Sequence, residues 1–397
     1  MTRICIITHT HLSRNPRVLK EAKALAEAGY EVHVLNSIYS EQLAKNDLRL
    51  LNTESIRITH ISDLSKKDLR SLIDRVIKKA GGLLVKYLKF ETCYALGYAP
   101  NRYLKISKSL KADLYICHQE LPLYIGTKLI NAGYNVAFDI EDWHSEDLPE
   151  KRRISRPVAL LRYAERFALT KGMYCTTTSM ALAQQLSKTY NTKQPTVIYN
   201  SFSPIERLFG KVKKAGFPLK LVWFSLNIGP GRGLEEFLLI VNKLNIMVEI
   251  HLVGEVEEEY KNTLLLSTSD KCLLTFHPLV DADKLCDLLS EFDIGLAIEL
   301  HQPKNREFTI TNKFFQYIQC GLPVIATNTI GQMEIFKKFT PGLLVDFENI
   351  SDHEIKSLLT AKDILERFQE QVVLAATAYS WENEVVKLLN LVQSAID

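Results

Sequence analysis

A chain of 397 residues exceeds one ordinary core, so two or three domains are expected. With 46% hydrophobic and 24% charged residues it has the balance of a soluble globular protein. No apolar run approaches the ~20 residues that a bilayer-spanning helix needs. The start, MTRICIITHTHLSRNP, turns polar too early for a signal peptide and resembles a first strand instead. Residues 1–200 hold 30 Lys+Arg against 19 Asp+Glu, or +11, and the remainder 19 against 27, or −8. The basic first half is therefore expected to meet something anionic. Seven cysteines (5, 93, 117, 175, 272, 286 and 320) include no CxxC pair, and reduced thiols in a cytoplasmic protein are expected.

Residues 3–8 (RICIIT) form a buried-strand run, 18–28 a helix that Gly29 closes, and 31–35 (EVHVL) a second strand. This βαβ spacing forces a parallel, right-handed crossover. The turn after the first strand, SRNPR, offers two guanidiniums, and Arg14 or Arg17 can meet a phosphate or an anionic sugar. Pro16 equally suits the first turn of a plain capped helix. A polar, irregular passage and a weak strand at 56–61 follow. Residues 78–111 carry eight Lys/Arg against one acid, Glu91, alternating with leucines and aromatics. Such a basic amphipathic helix can lie on an anionic membrane surface, making the protein peripheral at the inner face of the cytoplasmic membrane. It can equally be a core helix with solvated lysines.

Strands are then expected at 113–117, 135–140, 173–178 and 196–199, with helices at 121–132, 157–170 and 180–187. Residues 201–218 resemble a linker. The second half repeats the plan, with strands at 220–225, 247–253, 273–276, 294–298, 322–326 and 343–345. Its helices are expected at 234–244, 257–266, 282–291, 312–320 and 354–359, and the tail at 363–378 and 382–395. The expected fold is α/β: two Rossmann-like doubly wound domains facing an interdomain cleft. An N-terminal domain spans 1–200, a linker 201–218 and a C-terminal domain 219–380, and a helix at 381–397 crosses back. Ligands of such sheets bind beyond the carboxyl ends of the strands, so the cleft is the expected site.

Chemistry concentrates at those strand ends. Residues 309–327, TITNKFFQYIQCGLPVIAT, give a loop, an amphipathic helix, a glycine stop and a buried strand. Thr311 or Asn312 can cap the helix, and its free N–H groups beside Lys313 favour phosphate. The loop at 226–233 holds Asn227, Gly231 and Arg232; its glycines admit close backbone approach and Arg232 offers a forked donor. The spacing is not GxGxxG, so no dinucleotide fingerprint is present. Paired with Lys313, the loop forms a two-jawed diphosphate clamp. Gly254 closes the next strand in a tight turn, and Glu307 brings a carboxylate that can bind a sugar hydroxyl. In the first half His118 and Glu120 follow one strand end. The cluster DIEDWHSED (139–147), with Glu141 and Asp142, follows another. These groups suit general-base work or hydroxyl binding, and their spacing matches no metal-ligand motif. Asp281-Ala282-Asp283 is a DxD that opens a helix, where N-terminal acids are the plainer explanation.

Seven segments, in order, resemble a GT-B glycosyltransferase of the family 4 type (glycosyl transferases group 1) over nearly the whole chain. They are SRNPRVLKEAKALAEAGYEVHVL, DLYICHQELPLYIG, FDIEDWHSED, VIYNS, LVWFSLNIGPGRGLEEFL, TNKFFQYIQCGLPVIAT and YSWENEVVKLL. The resemblance implies a nucleotide-sugar donor in the C-terminal domain and a glycan or lipid-linked acceptor in the N-terminal one. It also implies retention, no metal or other cofactor, and no nucleic-acid partner. The expected roles are catalytic for Glu307, His118 and Asp142, and acceptor-binding for Arg14, Arg17, Glu120 and Glu141. Donor-binding is expected of Asn227, Gly231, Arg232, Gly254, Thr311, Asn312, Lys313 and Gln316. Two departures stand out. The family's paired glutamates, eight apart, would fall at Phe308 and Gln316. Glu141 and Asp142 occupy the histidine and glutamate positions of its D-x-H-E segment. These departures admit a CMP-linked acidic sugar as donor, a sugar-nucleotide epimerase or hydrolase, or a non-catalytic partner subunit as alternatives.

Overall fold

The computed structural model describes residues 1–51, 55–205, 218–349, 352–360 and 362–397. Most of the expected linker, 206–217, lies outside the described residues. The chain divides into two compact units. The first is Met1–Ile198 with Pro303–Asn305 and Val385–Asp397; the second is Tyr199–Gln302 with Arg306–Glu384.

The first unit holds strands β1 (Arg3–Ile7), β2 (Glu31–Ile38), β3 (Ile56–Asp63), β4 (Leu114–His118), β5 (Val136–Ile140), β6 (Cys175–Thr177) and β7 (Thr196–Val197). They form one sheet in the order β3-β2-β1-β4-β5-β6-β7, parallel throughout. The second unit holds β8 (Leu219–Ile228), β9 (Val248–Val256), β10 (Cys272–His277), β11 (Ile294–Ala297), β12 (Val324–Thr327) and β13 (Gly342–Val345). Their order is β10-β9-β8-β11-β12-β13, again parallel. Both sheets are doubly wound α/β sheets of the expected class. In each, strand order reverses beside the first strand, between β1 and β4 and between β8 and β11. Ligands of such sheets bind at that reversal.

Period-two alternation explains how the second sheet is sandwiched. Leu221 and Trp223 of β8 join Ile250, Leu252 and Leu296 on one face, covered by helices Leu234–Leu244 and Asp352–Thr360. Val222 points the other way, into a layer with Ala297, Ala326, Phe314, Phe315, Tyr317 and Ile318. The last four come from helix Asn312–Gln319, whose apolar face is thereby fully buried.

Some helices were not legible locally, the four-residue Glu150–Arg153 and Asn305–Phe308 among them. The irregular passage after β2 contains helix Glu41–Leu51, and the weak strand at 56–61 is the eight-residue β3. That helix turns few apolar groups inward; its buried residues are Leu51 and Asp47. The Asp47 carboxylate accepts from His11 at 2.8 Å and from the Ser13 N–H at 2.7 Å. Helix Ile330–Phe336, seven residues long with Thr329 as its cap, was also unanticipated. The basic stretch at 78–111 resolves into parts of two helices, Leu69–Leu88 and Pro100–Leu110. The cysteines are not all reduced. Cys286 and Cys320 form a disulfide with Cα atoms 5.6 Å apart, while Cys5, Cys93, Cys117, Cys175 and Cys272 are free thiols.

Gly295 of β11 tests this packing. A methyl group there would fall inside the Tyr317 ring, which is pinned by its hydroxyl donating to the Val222 carbonyl at 3.0 Å. Gly295→Ala is expected to cost about 1–3 kcal/mol of stability, read as a lower urea midpoint; an unchanged midpoint would contradict the packing described.

Candidate active site

Beyond β11 the chain turns at Glu299, whose side chain is almost fully buried. Its backbone N–H donates to the Thr327 hydroxyl at 3.0 Å, fixing the turn against β12. Three cations converge on its carboxylate. Arg232, from the glycine loop after β8, donates through Nε at 3.1 Å and Nη2 at 2.8 Å. Lys313, from the first turn of helix Asn312–Gln319, donates at 2.9 Å. Arg306 lies 3.5 Å away and donates to the Gly231 carbonyl at 2.6 Å, tying itself to the same glycine loop. The loop takes this shape because Gly231 and Gly233 adopt φ of 73° and 85°, which side chains disfavour.

The electrostatics are those of an anion site. Burial works against the Glu299 charge, yet Lys313 and Arg232 hold its carboxyl down at about 2. Burial, aided by repulsion from Arg232 and Arg306, pushes Lys313 down to about 8 despite Glu299. Its ammonium also sits 5.2 Å above the Trp223 ring. Three cations against one carboxylate leave a formal +2 at the switch point of the second sheet. An entering phosphate can replace Glu299 as their partner.

The expected donor residues fall around this cluster to different degrees. Thr311 is the helix cap, accepting from the Phe314 N–H, and Asn312 accepts from the Asn200 amide at 2.7 Å. Gly254 is required by close strand approach, since a side chain would strike the Ser225 carbonyl. Asn227 is exposed at the irregularity where β8 shifts register against β9. Gln316 is turned to the disulfide, its amide 3.2 Å from Cys286 Sγ and 3.6 Å from Cys320 Sγ. Glu307 is engaged on both oxygens: one accepts from the Ile330 N–H at 3.1 Å and the other meets His301. It therefore clamps the short helix Asn305–Phe308 to the helix at Ile330. Asp281 precedes helix Ala282–Leu289 without a side-chain cap bond, and the side chain of Asp283 lies outside the described residues. Glu299 and Arg306 were missed by sequence reasoning, because an acid beyond a strand end and an arginine in a four-residue helix carry no local signal.

In the first unit, the groups beyond β4 and β5 form a buried ionic network. His118 is fully buried, with Nε2 against Glu21 and Nδ1 3.1 Å from Asp139 and 3.2 Å from Glu141. Burial opposes its protonation, but Glu21, Asp139 and Glu141 hold its pKa well above the usual histidine range. Arg17 is equally committed, with two donors to Asp139 and one to the Ile198 carbonyl at 2.7 Å. In this arrangement His118 and Arg17 brace the strand ends and present no free polar atom to a ligand. Arg14 and Asp142 are exposed; Asp142 accepts from the Asn305 amide at 2.7 Å. Glu120 is half-buried, paired with His9 at 3.2 Å and Arg156 at 2.9 Å.

Among the described residues of this unit, two sets of groups have the donor atoms of a cation site, His118/Asp139/Glu141 and Glu120/His144/Asp147. Each already surrounds a protein cation. Arg17 binds Asp139, and Arg156 bridges Glu120 and Asp147 at 2.9 and 3.0 Å. Burial pushes His144 down, but Asp147 and Glu120 more than offset it and hold it at about 9.

Residues 226–360, which include the glycine loop, Glu299, Arg306 and Lys313, match the family model described as Glycosyl transferases group 1. Among solved structures, sucrose-phosphate synthase from Thermosynechococcus elongatus is similar over 99% of this chain and 98% of its own, with a TM-score of 0.73 at 12% identity. Anabaena HepE, in complex with UDP and glucose, is similar over 99% and 100%, with a TM-score of 0.65 at 12% identity. WaaG, a glycosyltransferase involved in lipopolysaccharide biosynthesis, is similar over 98% of both chains, with a TM-score of 0.63 at 12% identity. Comparison with curated proteins finds no match in sequence. The chain is thus a glycosyltransferase with the GT-B fold, of which residues 226–360 match the group 1 glycosyl transferases.

Proposed function

We propose that this enzyme moves a sugar, with retention, from a nucleoside-diphosphate sugar in its second unit to a glycan or lipid-linked acceptor in its first. The setting proposed is bacterial surface polysaccharide or glycolipid synthesis. The observation that carries this reading is the convergence of Arg232, Arg306 and Lys313 on Glu299. Charge builds on the departing diphosphate as the glycosidic bond breaks, and preorganised cations lower the barrier most where charge develops. Side chains supplying +2 at one point support a metal-independent reaction. They also favour two adjacent phosphates over a CMP-linked acidic sugar, whose second negative charge lies on the sugar itself. HepE's complex with UDP and glucose makes a uridine nucleotide the first donor to try. For the acceptor, the exposed Arg14 and Asp142 and the half-buried Glu120 and Glu141 offer polar groups at the strand ends of the first unit. The basic first half supports a protein held at the inner face of the cytoplasmic membrane; no described helix is long and apolar enough to cross one.

Thermal shift with UDP-, GDP-, dTDP-, ADP- and CMP-sugars tests the donor. A nucleoside-diphosphate sugar at a hundred times its Kd is expected to stabilise by about 2.7 kcal/mol, undiminished by EDTA and abolished in Arg232→Ala. Absence of any shift at millimolar ligand would contradict the proposal. Without acceptor the donor is expected to be consumed only slowly, whereas an epimerase or hydrolase would exhaust it.

The Lys313 ammonium gives a second test. Its pKa of about 8 in the free protein rises when a diphosphate binds beside it. Affinity for diphosphate should therefore be level up to pH about 8 and fall by up to about tenfold per pH unit above it. Lys313→Arg should hold its affinity to higher pH, and identical profiles for the two proteins would exclude this role for Lys313.

A further inference from the structure

Helix Leu69–Leu88 is amphipathic the wrong way round for a surface helix, which ordinarily turns its apolar stripe to the core. Its buried residues are Ser71, Asp74, Gly81 and Val85. Asp74 locks that face inward, accepting from the Ser62 hydroxyl at 2.6 Å and from Arg102. Gly81 lies against the backbone of Tyr94 and Ala95, where a side chain would not fit. At about 100° per residue, Leu69, Leu72, Val76, Leu83 and Tyr87 share the opposite side. They are 73%, 57%, 57%, 45% and 67% exposed, and Phe90 just beyond is 62% exposed. The stripe runs the length of the helix, about 30 Å, far beyond the isolated apolar residues that ordinary surfaces carry.

Within the helix the exposed charges have one sign; the exposed Asp68 caps its N-terminus. Arg70, Lys79, Lys86 and Lys89 are exposed, and Asp74, the one acid within the helix, is the residue locked inward. Gly82 faces Ser155, whose Cβ would lie 3.8 Å from a side chain there. An apolar stripe on a helix whose exposed charges are all cations complements a surface with a hydrocarbon interior beneath anionic headgroups.

We propose that Leu69–Leu88 is an in-plane membrane anchor, whose outward stripe inserts below the headgroups of an anionic bilayer while the flanking Lys and Arg hold the phosphates. This rests on the peripheral-attachment reading above and adds its element and its physics: attachment is by apolar insertion, with charge as an aid. The working part also begins nine residues before the expected stretch at 78–111. In the other helix of that stretch Tyr103 and Ser107 are buried.

The test is co-sedimentation of the full-length protein with phosphatidylcholine vesicles, with and without phosphatidylglycerol, at about 0.1 M and about 1 M salt. Light scattering without vesicles is run alongside. The wild type is expected to bind the anionic vesicles and to keep a substantial share of that binding at high salt. The triple variant Leu72→Ser, Val76→Ser, Tyr87→Ser should bind at least about tenfold less while melting like the wild type, because all three side chains point outward. Binding that salt abolishes and the triple variant keeps would overturn insertion and leave electrostatic attachment standing. Absence of wild-type binding would overturn both readings. A vesicle-free dimer that the triple variant dissolves would reassign the stripe to a second copy of the chain.

Discussion

The Glu299 carboxylate is the charge on which the candidate site depends. Alone at the end of β11 it would carry a large desolvation penalty; with Arg232, Lys313 and Arg306 around it, it is held ionised at about 2. The same contacts gather three cations that would otherwise repel one another. Lys313 feels the balance most, buried, above Trp223 and lowered to about 8. The arrangement resembles a spring held by a weak latch: one carboxylate keeps the cations together without neutralising them. That remaining positive potential is available to an incoming diphosphate.

The scaffold explains why the cluster sits there. Both sheets reverse strand order beside their first strand, and ligands of such sheets bind at that reversal, here between the segments after β8 and β11. Gly231 and Gly233 let the first loop turn sharply. Helix Asn312–Gln319 buries Phe314, Phe315, Tyr317 and Ile318, which fixes Lys313 on its first turn. In the first unit the corresponding strand ends are filled by Arg17, Glu21, His118, Asp139 and Glu141, bound to one another. Equivalent places in two similar sheets thus hold a positive cluster and an ionic network of two cations and three carboxylates bound to one another.

What could be read from the sequence was what is encoded locally. The apolar strands, the helix at Asn312 with its cap, and the glycine loop with Arg232 each declare themselves within about ten residues. Glu299 could not, because its meaning lies in partners 67 and 14 positions away. The Cys286–Cys320 bond, closed over 34 positions, is of the same kind. Helix Glu41–Leu51 was missed for a different reason: a charged residue, Asp47, occupies its buried side. Helix Leu69–Leu88 misleads in the opposite direction, since periodicity finds an apolar face but cannot say which side the domain lies on. His118 and Arg17 had the right chemistry for substrate contact and were placed at strand ends as expected, yet their charges are satisfied within the protein.

The central claim is that the cation cluster at Glu299 is built for a diphosphate. Calorimetric titration of UDP against UMP measures this most directly, because the two share every contact except the second phosphate. The account predicts at least about a tenfold preference for UDP, reduced towards equality in Lys313→Ala. Equal affinity of the wild-type protein for UDP and UMP would contradict it.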